Sequence, residues 1–313
     1  MQDLLSVIIP AYNEQEMIPI TVKTVSDILK DNNIPFELVF VNDGSKDHTW
    51  PEIEEASKSD PHVRGVCFSR NFGKEAAIMA GLSQAKGDCA VVIDCDLQHP
   101  PIKIVEMYDL WKNGYEIVEG VKSSRGEESK AHAEAAHLFY RAVSKASGFE
   151  IENQSDFKLL DRKAINTLLN IPERSAFFRA LSNWIGYKST TVEFDVEERA
   201  AGQSKWSTKA LVKYALSNIS SFSTAPMQIV TVLGVITLIV SIIFGITALV
   251  QKLMGIASPG FTTVILILLF IGSLIMISLG IIGFYIAKIY EEVKGRPRYI
   301  ISTTCGQSEN ENA

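Results

Sequence analysis

Two long stretches of this 313-residue chain lack charge altogether: neither Ala225 to Gln251 nor Pro259 to Ala287 contains an Asp, Glu, Lys or Arg. Each exceeds the roughly 20 apolar residues that span a bilayer. A water-soluble helix of that length keeps charge on at least one face. The pair therefore reads as two membrane helices, about 226–251 and 261–287, joined by the short turn-ending stretch Lys252 to Ser258. A basic surplus is missing too: 30 Lys and Arg against 36 Asp and Glu leave a net charge of −6, which excludes a nucleic-acid footprint. Cysteine is scarce. Cys67, Cys89, Cys95 and Cys305 show no paired metal spacing, and they read as packing residues of a reducing compartment. The amino terminus lacks a secretory signal, since Asp3 and the short run Leu4 to Ile9 give neither a basic start nor a sufficient apolar core. No Walker or dinucleotide glycine pattern is present, so any phosphate needs a different cradle.

The charge that flanks the spans orients them. Lys205, Lys209 and Lys213 precede them, Lys288, Lys294, Arg296 and Arg298 follow them, and Lys252 alone lies between. The positive-inside rule then places both termini and the large domain in the cytosol, in a multi-pass protein of the inner (cytoplasmic) membrane. Residues 206–224 precede the first span and carry Leu211, Tyr214, Ala215 and Ile219 opposite Lys209 and Lys213. They read as an amphipathic helix lying in the headgroup plane; a domain-packing helix is the alternative. Residues 289–313 read as a cytosolic tail, polar and disordered from Ser308 onward.

Residues 1–205 alternate apolar runs with amphipathic stretches. Leu4 to Pro10, Phe36 to Asn42, Val63 to Phe68, Cys89 to Asp94 and Glu116 to Gly120 read as strands. Glu14 to Lys30, Trp50 to Ser59, Lys74 to Ala85 and Ile102 to Asn113 read as helices, the second with Thr49 and Glu52 as a capping box. This is the pattern of an α/β domain with a mostly parallel sheet and helices on both faces. Such sheets bind ligands beyond the carboxyl ends of their strands. Tyr12, Asn42-Asp43, Ser69-Arg70 and Asp94 to Asp96 all fall there. Ser123 to Lys130 is polar, the usual setting of a substrate loop, and Ala131 to Ser147 reads as a helix.

At the end of the fourth run, Asp94-Cys95-Asp96-Leu97-Gln98 sets two carboxylates and an amide where a strand stops. Hard cations such as Mg²⁺ and Mn²⁺ take oxygen ligands and usually keep one or two protein carboxylates, leaving positions for substrate phosphates. A nucleotide sugar fits that arrangement, although Asp-x-Asp alone is more often a solvated turn. Tyr12 can stack on a base, and Asp43 can accept hydrogen bonds from a base or ribose. Read alone, these two motifs are also turns at strand ends.

Taken together, the motifs resemble a known family. Pro10-Ala-Tyr12-Asn-Glu14, Asn42-Asp43-Gly-Ser-x-Asp-x-Thr, Ser69-Arg70-Asn-Phe-Gly-Lys74-Glu75, Asp94-x-Asp96-Leu-Gln98-His-Pro-Pro, Ser155-Asp156-Phe-Lys-Leu and Arg199-x-x-Gly202-x-Ser-Lys205-Trp occur in the order of family 2 inverting glycosyltransferases. The chain is similar to the polyprenyl-phosphate branch of that family, and its two terminal spans resemble the bactoprenol type most. The resemblance implies a GT-A fold, and it implies transfer of one sugar from a nucleotide sugar, a UDP-sugar first, to undecaprenyl or another polyprenyl phosphate. It implies donor binding by Pro10, Tyr12, Glu14, Asn42, Asp43 and Asp94, with Arg70 and Lys74 as weaker donor candidates. Mg²⁺ or Mn²⁺ would sit on Asp94, Asp96 and Gln98. Arg125, Arg199 and Lys205 would gather around phosphates, and Asp96, Asp156 and Arg199 are the expected catalytic set. A homo-oligomer, with a tetramer as one form, is also implied. Arg141 and Arg179 read as salt-bridged surface residues.

Asp156 has two readings. In transfer to a hydroxyl it would be the general base. A polyprenyl phosphate is already anionic and needs none, which assigns Asp156 mainly to positioning. The alternatives are a glycolipid or processive polysaccharide synthase acting on a hydroxyl, and a non-catalytic membrane scaffold. Gln203-Ser-Lys-Trp206 departs from the Gln-x-x-Arg-Trp of processive enzymes, and the complete Asp94, Asp96 and Gln98 set argues against a scaffold.

Overall fold

Continuous Val, Ile and Leu runs, rather than alternating ones, are what strands covered on both faces require. The computed structural model describes residues 3–123, 154–173, 177–195, 225–255 and 260–306. Within it the first runs form β1 (Leu5–Ala11), β2 (Phe36–Asn42), β3 (Val63–Phe68), β4 (Cys89–Val92) and β5 (Ile117–Lys122). All but a few of their side chains are buried. Between them lie α1 (Met17–Asp31), α2 (Thr49–Ser59), α3 (Lys74–Gln84) and α4 (Lys103–Lys112). The expected capping box is replaced: α2 starts at Thr49 behind His48. The Thr49 hydroxyl donates to Asp47 Oδ1 at 2.6 Å and accepts from the Glu14 N–H at 2.8 Å, tying two loops together.

Three strands complete the sheet: β6 (Gln154–Asp161), β7 (Ser189–Phe194) and β8 (Ile301–Cys305). The order is β7-β5-β6-β4-β1-β2-β3-β8. Parallel pairing links β1 to β2, β1 to β4, β2 to β3 and β5 to β7, while β6 and β8 pair antiparallel with their neighbours. This is a mostly parallel, mixed α/β sheet of GT-A type. The strand order reverses between β1 and β4, the position where open α/β sheets hold ligands. Helices α5 (Arg162–Asn170) and α6 (Phe178–Trp184) follow β6.

The expected tail is in part a piece of the sheet. β8 pairs with β3 in the register Gly65↔Cys305. Gly65 permits this approach, because an added Cβ would meet Cys305 Sγ and Ile53 Cγ2, each at 2.6 Å. Tyr299 stacks on Phe68 with ring centroids 5.1 Å apart, and its hydroxyl lies 3.0 Å from Ser83 Oγ. The Arg298 guanidinium donates to the carbonyls of Ile171 and Glu173.

Residues 1–206 with 297–313 form one unit and residues 207–296 a second. The second contains α7 (Ala225–Leu253) and α8 (Phe261–Val293), which cover the two charge-free stretches. Among the described residues, Phe270–Val293 is the one segment long and apolar enough to cross a membrane by length and composition. Large apolar side chains of these helices, among them Ile242, Phe244, Leu268, Met276 and Leu279, are exposed. Exposure on that scale calls for an apolar environment. The expected substrate loop beyond Ser123, the helix over 131–147 and the interfacial helix over 206–224 lie outside the described residues.

Candidate active site

Strand register explains why two carboxylates meet. β4 and β6 pair antiparallel with Ala90↔Leu160 and Val92↔Lys158. One more step in each direction brings Asp94 opposite Asp156. Two like charges so placed need a cation between them, and the structure supplies one from α3. Lys74, in the first turn of that helix, lies 2.6 Å from Asp94 Oδ1 and 2.7 Å from Asp156 Oδ2. Arg179, on α6, closes the other side of Asp156 with Nε at 2.7 Å and Nη2 at 2.9 Å, a bidentate pair. Its expected place on the surface is corrected: the partner of Arg179 is a buried carboxylate of the site.

These neighbours set the ionisation states. Burial would raise the Asp156 carboxyl, but Lys74 and then Arg179 outweigh it and hold the group far below the usual carboxylate range. Asp94 is likewise opposed by burial, yet Lys74 and His99 hold it low. Burial works against the Lys74 ammonium, and the charges of Asp94 and Asp156 overcome it and keep the group protonated. His99 is buried and pushed toward its neutral form, stacked on Phe157 at 5.2 Å and edge-on to Phe194. Its Nδ1 has no hydrogen-bond partner and lies 3.9 Å from Asp94 Oδ2.

Glu75 follows Lys74 and accepts the Phe178 N–H at 2.8 Å, which fixes the start of α6 and so places Arg179. Burial, then the charge of Asp156, push Glu75 up to about 7 from an ordinary 4.5. The folded state thus binds this proton more tightly than the unfolded chain, so stability falls as pH rises between those two values and then levels off. Glu75→Gln keeps an acceptor for Phe178 and removes the titration. In thermal melts of the detergent-solubilised chain, its advantage over the unmodified protein should grow from pH 5 to pH 8. A pH-independent difference would contradict this assignment.

The loops after β1 and β2 form the neighbouring wall. The Asn13 N–H donates to Ser45 Oγ at 2.9 Å, and Asn13 Oδ1 accepts the Lys46 N–H at 2.8 Å. Asn13 adopts a left-handed backbone, φ 54°, to make this turn. Tyr12 stands partly exposed beside it, and Glu14 and Pro10 are half-buried. Asp43 and Asn42 are buried and engaged inside the protein. Asp43 accepts the N–H of Phe72 at 2.6 Å and of Gly73 at 2.9 Å, which holds the loop leading to Lys74. Asn42 donates to Cys67 Sγ at 3.1 Å and accepts the Ser45 N–H at 3.2 Å. Both residues shape these loops. Gly44, at φ 62°, lets the same loop pass: an added Cβ would fall 2.4 Å from the Arg70 carbonyl carbon. Arg70 itself lies over the Phe72 ring, 4.3 Å from its centroid.

Asp96 and Gln98 sit on a tight turn. Leu97 has φ 55°, and Asp96 Oδ1 accepts the Gln98 N–H at 3.2 Å. Among the described residues there is no cluster of three or more His, Cys, Asp or Glu side chains that could enclose a metal. Two carboxylates and an amide oxygen nonetheless suit a hard cation that completes its shell with phosphate, and the buried His99 Nδ1 beside Asp94 has no hydrogen-bond partner. The residues fit Mg²⁺ or Mn²⁺. Arg125, Arg199 and Lys205, expected around the phosphates, lie outside the described residues. Sequence reasoning missed Lys158, which is fully buried, 3.2 Å from Glu119 Oε1 and 3.0 Å from Ser182 Oγ. Its alternation with Asp156 along Ser155 to Leu160 was the available signal.

Paired carboxylates bridged by cations thus stand at the reversal point of a mixed α/β sheet, the place where such sheets bind ligands. The model of Glycosyl transferase family 2 matches residues 6–184, and the chain belongs to that family: it is a glycosyltransferase. It is 38% identical over 304 residues to an uncharacterized glycosyltransferase of Synechocystis sp., with 96% of each chain covered. It is also 38% identical to the prophage bactoprenol glucosyl transferase homolog of Escherichia coli, covering 95% of this chain and 98% of that one. The bactoprenol glucosyl transferase of Shigella phage SfII is 37% identical, with 95% and 97% covered. Among solved structures, glucosyl-3-phosphoglycerate synthase from Mycobacterium tuberculosis, crystallised with Mn²⁺, UDP and glucosyl-3-phosphoglycerate, aligns with a TM-score of 0.48 at 19% identity, covering 70% and 80% of the two chains.

Proposed function

We propose that this glycosyltransferase moves one sugar from a nucleotide sugar, a UDP-sugar, to a polyprenyl phosphate with inversion at the anomeric carbon. The observation that carries the reading is the clamp on Asp156. A general base works best with a pKa near the operating pH, and a carboxylate held far below that by Lys74 and Arg179 is a poor one. An acceptor that arrives already ionised removes the need for a base. A polyprenyl phosphate is such an acceptor, and the bactoprenol glucosyl transferases to which the chain is similar carry bactoprenol, the parent polyprenyl lipid, in their names. Those names also make glucose the first sugar to test.

In this reading Pro10, Tyr12, Glu14, Asn42 and Asp43 bind the nucleoside, and Asn42 and Asp43 also hold the loops around it. Asp94, Asp96 and Gln98 would hold Mg²⁺ or Mn²⁺. When bound, the cation neutralises charge on the departing diphosphate. Arg125, Arg199 and Lys205 would draw the lipid phosphate and the diphosphate together, and Asp156 keeps the cations of α3 and α6 in place. The decisive assay gives the purified full chain undecaprenyl phosphate with UDP-glucose, UDP-N-acetylglucosamine or GDP-mannose. Lipid-linked sugar from a UDP-sugar supports the reading, and donor hydrolysis without lipid product contradicts it.

The apolar unit fits the same function as a two-helix anchor at the inner leaflet, with residues 206–224 as an interfacial helix. Connectivity supports an even number of crossings: the chain enters α7 from the catalytic unit and, between Val293 and Ile301, returns to that unit's sheet. Both ends of the anchor then lie with the catalytic domain on the cytosolic side, where nucleotide sugars are made. Single cysteines at Ser258 and Ser308, in a background without the native four, test this in intact cells. An impermeant maleimide should label the first and spare the second, and the reverse pattern would overturn the orientation.

A further inference from the structure

We propose that Lys74 is the resident cation of the donor-free site: it holds Asp94 and Asp156 together, and its displacement makes metal binding depend on the nucleotide. The inference rests on the reading of Asp94 as a metal-holding residue, and it assigns to Lys74 a role opposed to the metal rather than a simple donor contact.

Three observations carry it. First, the Lys74 ammonium lies between the two carboxylates at 2.6 and 2.7 Å, so Asp94 is already neutralised when no metal is present. A second cation on the same carboxylate meets Coulomb repulsion at a few ångströms, where interactions at the protein surface are strong. Second, the two carboxylates differ in what remains once Lys74 leaves. Asp156 keeps both bonds from Arg179 and stays paired, with only 4% of its side chain exposed. Among the described residues, Asp94 keeps no ion-pair partner nearer than His99 Nδ1 at 3.9 Å, beyond hydrogen-bond reach. Withdrawal of Lys74 therefore frees Asp94 and leaves Asp156 satisfied. Third, the Lys74 side chain is 36% exposed, so part of it borders solvent rather than packed protein.

A nucleoside diphosphate offers the ammonium an alternative partner of higher charge. Its arrival draws Lys74 from Asp94, and Asp94 becomes available to the metal that the same diphosphate binds. Metal and nucleotide then strengthen each other's binding by the same factor, as linkage requires. The order has a consequence for the reaction: the full charge set assembles only when donor is present, which limits occupation of the site by metal alone.

The test measures free Mn²⁺ by electron paramagnetic resonance during titration of the full-length protein, with and without UDP. The unmodified protein should bind Mn²⁺ weakly alone and roughly tenfold or more tightly with UDP, within the 5–150-fold range of ordinary coupling. Lys74→Met should bind Mn²⁺ alone about tenfold more tightly than the unmodified protein, and UDP should add little. Lys74→Arg keeps the charge and should keep the coupling. Because Lys74→Met leaves Asp94 facing Asp156 unshielded, its melting temperature is read as well. Mn²⁺ alone should raise it more than it raises that of the unmodified protein, which also reports on whether the variant is folded. Equal Mn²⁺ affinity of Lys74→Met and the unmodified protein without UDP would overturn the inference while the metal reading stands. Failure of the unmodified protein to bind Mn²⁺ even with UDP would overturn the metal reading itself.

Discussion

Asp96→Asn should lower sugar transfer by roughly two to three orders of magnitude, the size of effect seen when one electrostatic partner of a developing charge is removed. The side chain sits on the turn made by Leu97 and accepts the Gln98 N–H, which an amide oxygen can also do, so the local fold should survive. What the amide cannot supply is negative charge for a divalent cation. The loss should therefore come with weaker Mn²⁺ binding in the presence of UDP and an unchanged melting temperature in its absence. Excess EDTA should reproduce the loss in the unmodified enzyme, and full turnover in EDTA would contradict the metal assignment.

Asp156→Asn should be comparably damaging for a different reason. The carboxylate pairs with Arg179 and shares Lys74 with Asp94, and an amide would leave the Arg179 guanidinium without its anion beside the Lys74 ammonium. A loss of about a hundredfold or more is expected, since small displacements of positioning groups cost that much. The diagnostic is the pH dependence. Asp156 is depressed in the folded state, so its stabilising contribution is present above the ordinary carboxylate range and is lost only as pH falls through its lowered value. No limb of the pH–rate profile near neutrality should belong to it, and the residual activity of Asp156→Asn should keep the shape of the original profile. A limb that disappears with the carboxyl would make Asp156 a base.

The first half of the fold was legible because buried parallel strands advertise themselves as unbroken apolar runs, and β1 to β4 appear where those runs lie. The strands that were missed lack that signal. β6 places Asp156 and Lys158 inside the sheet, which on composition alone argues against a strand. β7 alternates as a half-exposed strand does, with Val192 and Phe194 inward, and β8 is a mostly exposed edge separated from β3 by more than two hundred residues of chain. The site was legible as chemistry more than as geometry. Asp94 and Asp156 were both named from motifs, but their meeting depends on the β4–β6 register, and Arg179 depends on α6, where the sequence offered only a salt-bridged surface charge. Asp43 carries a role its motif did not announce: its two oxygens accept the backbone N–H groups of Phe72 and Gly73 and hold the loop before Lys74.

The claim that the acceptor is already an anion is tested most directly by comparing undecaprenyl phosphate with undecaprenol under one nucleotide-sugar donor. With Asp156 clamped by Lys74 and Arg179, the phosphate should be glycosylated and the free alcohol should give no product above background. Equal rates with both lipids would contradict the account, and would require a base that the Asp156 cluster does not supply.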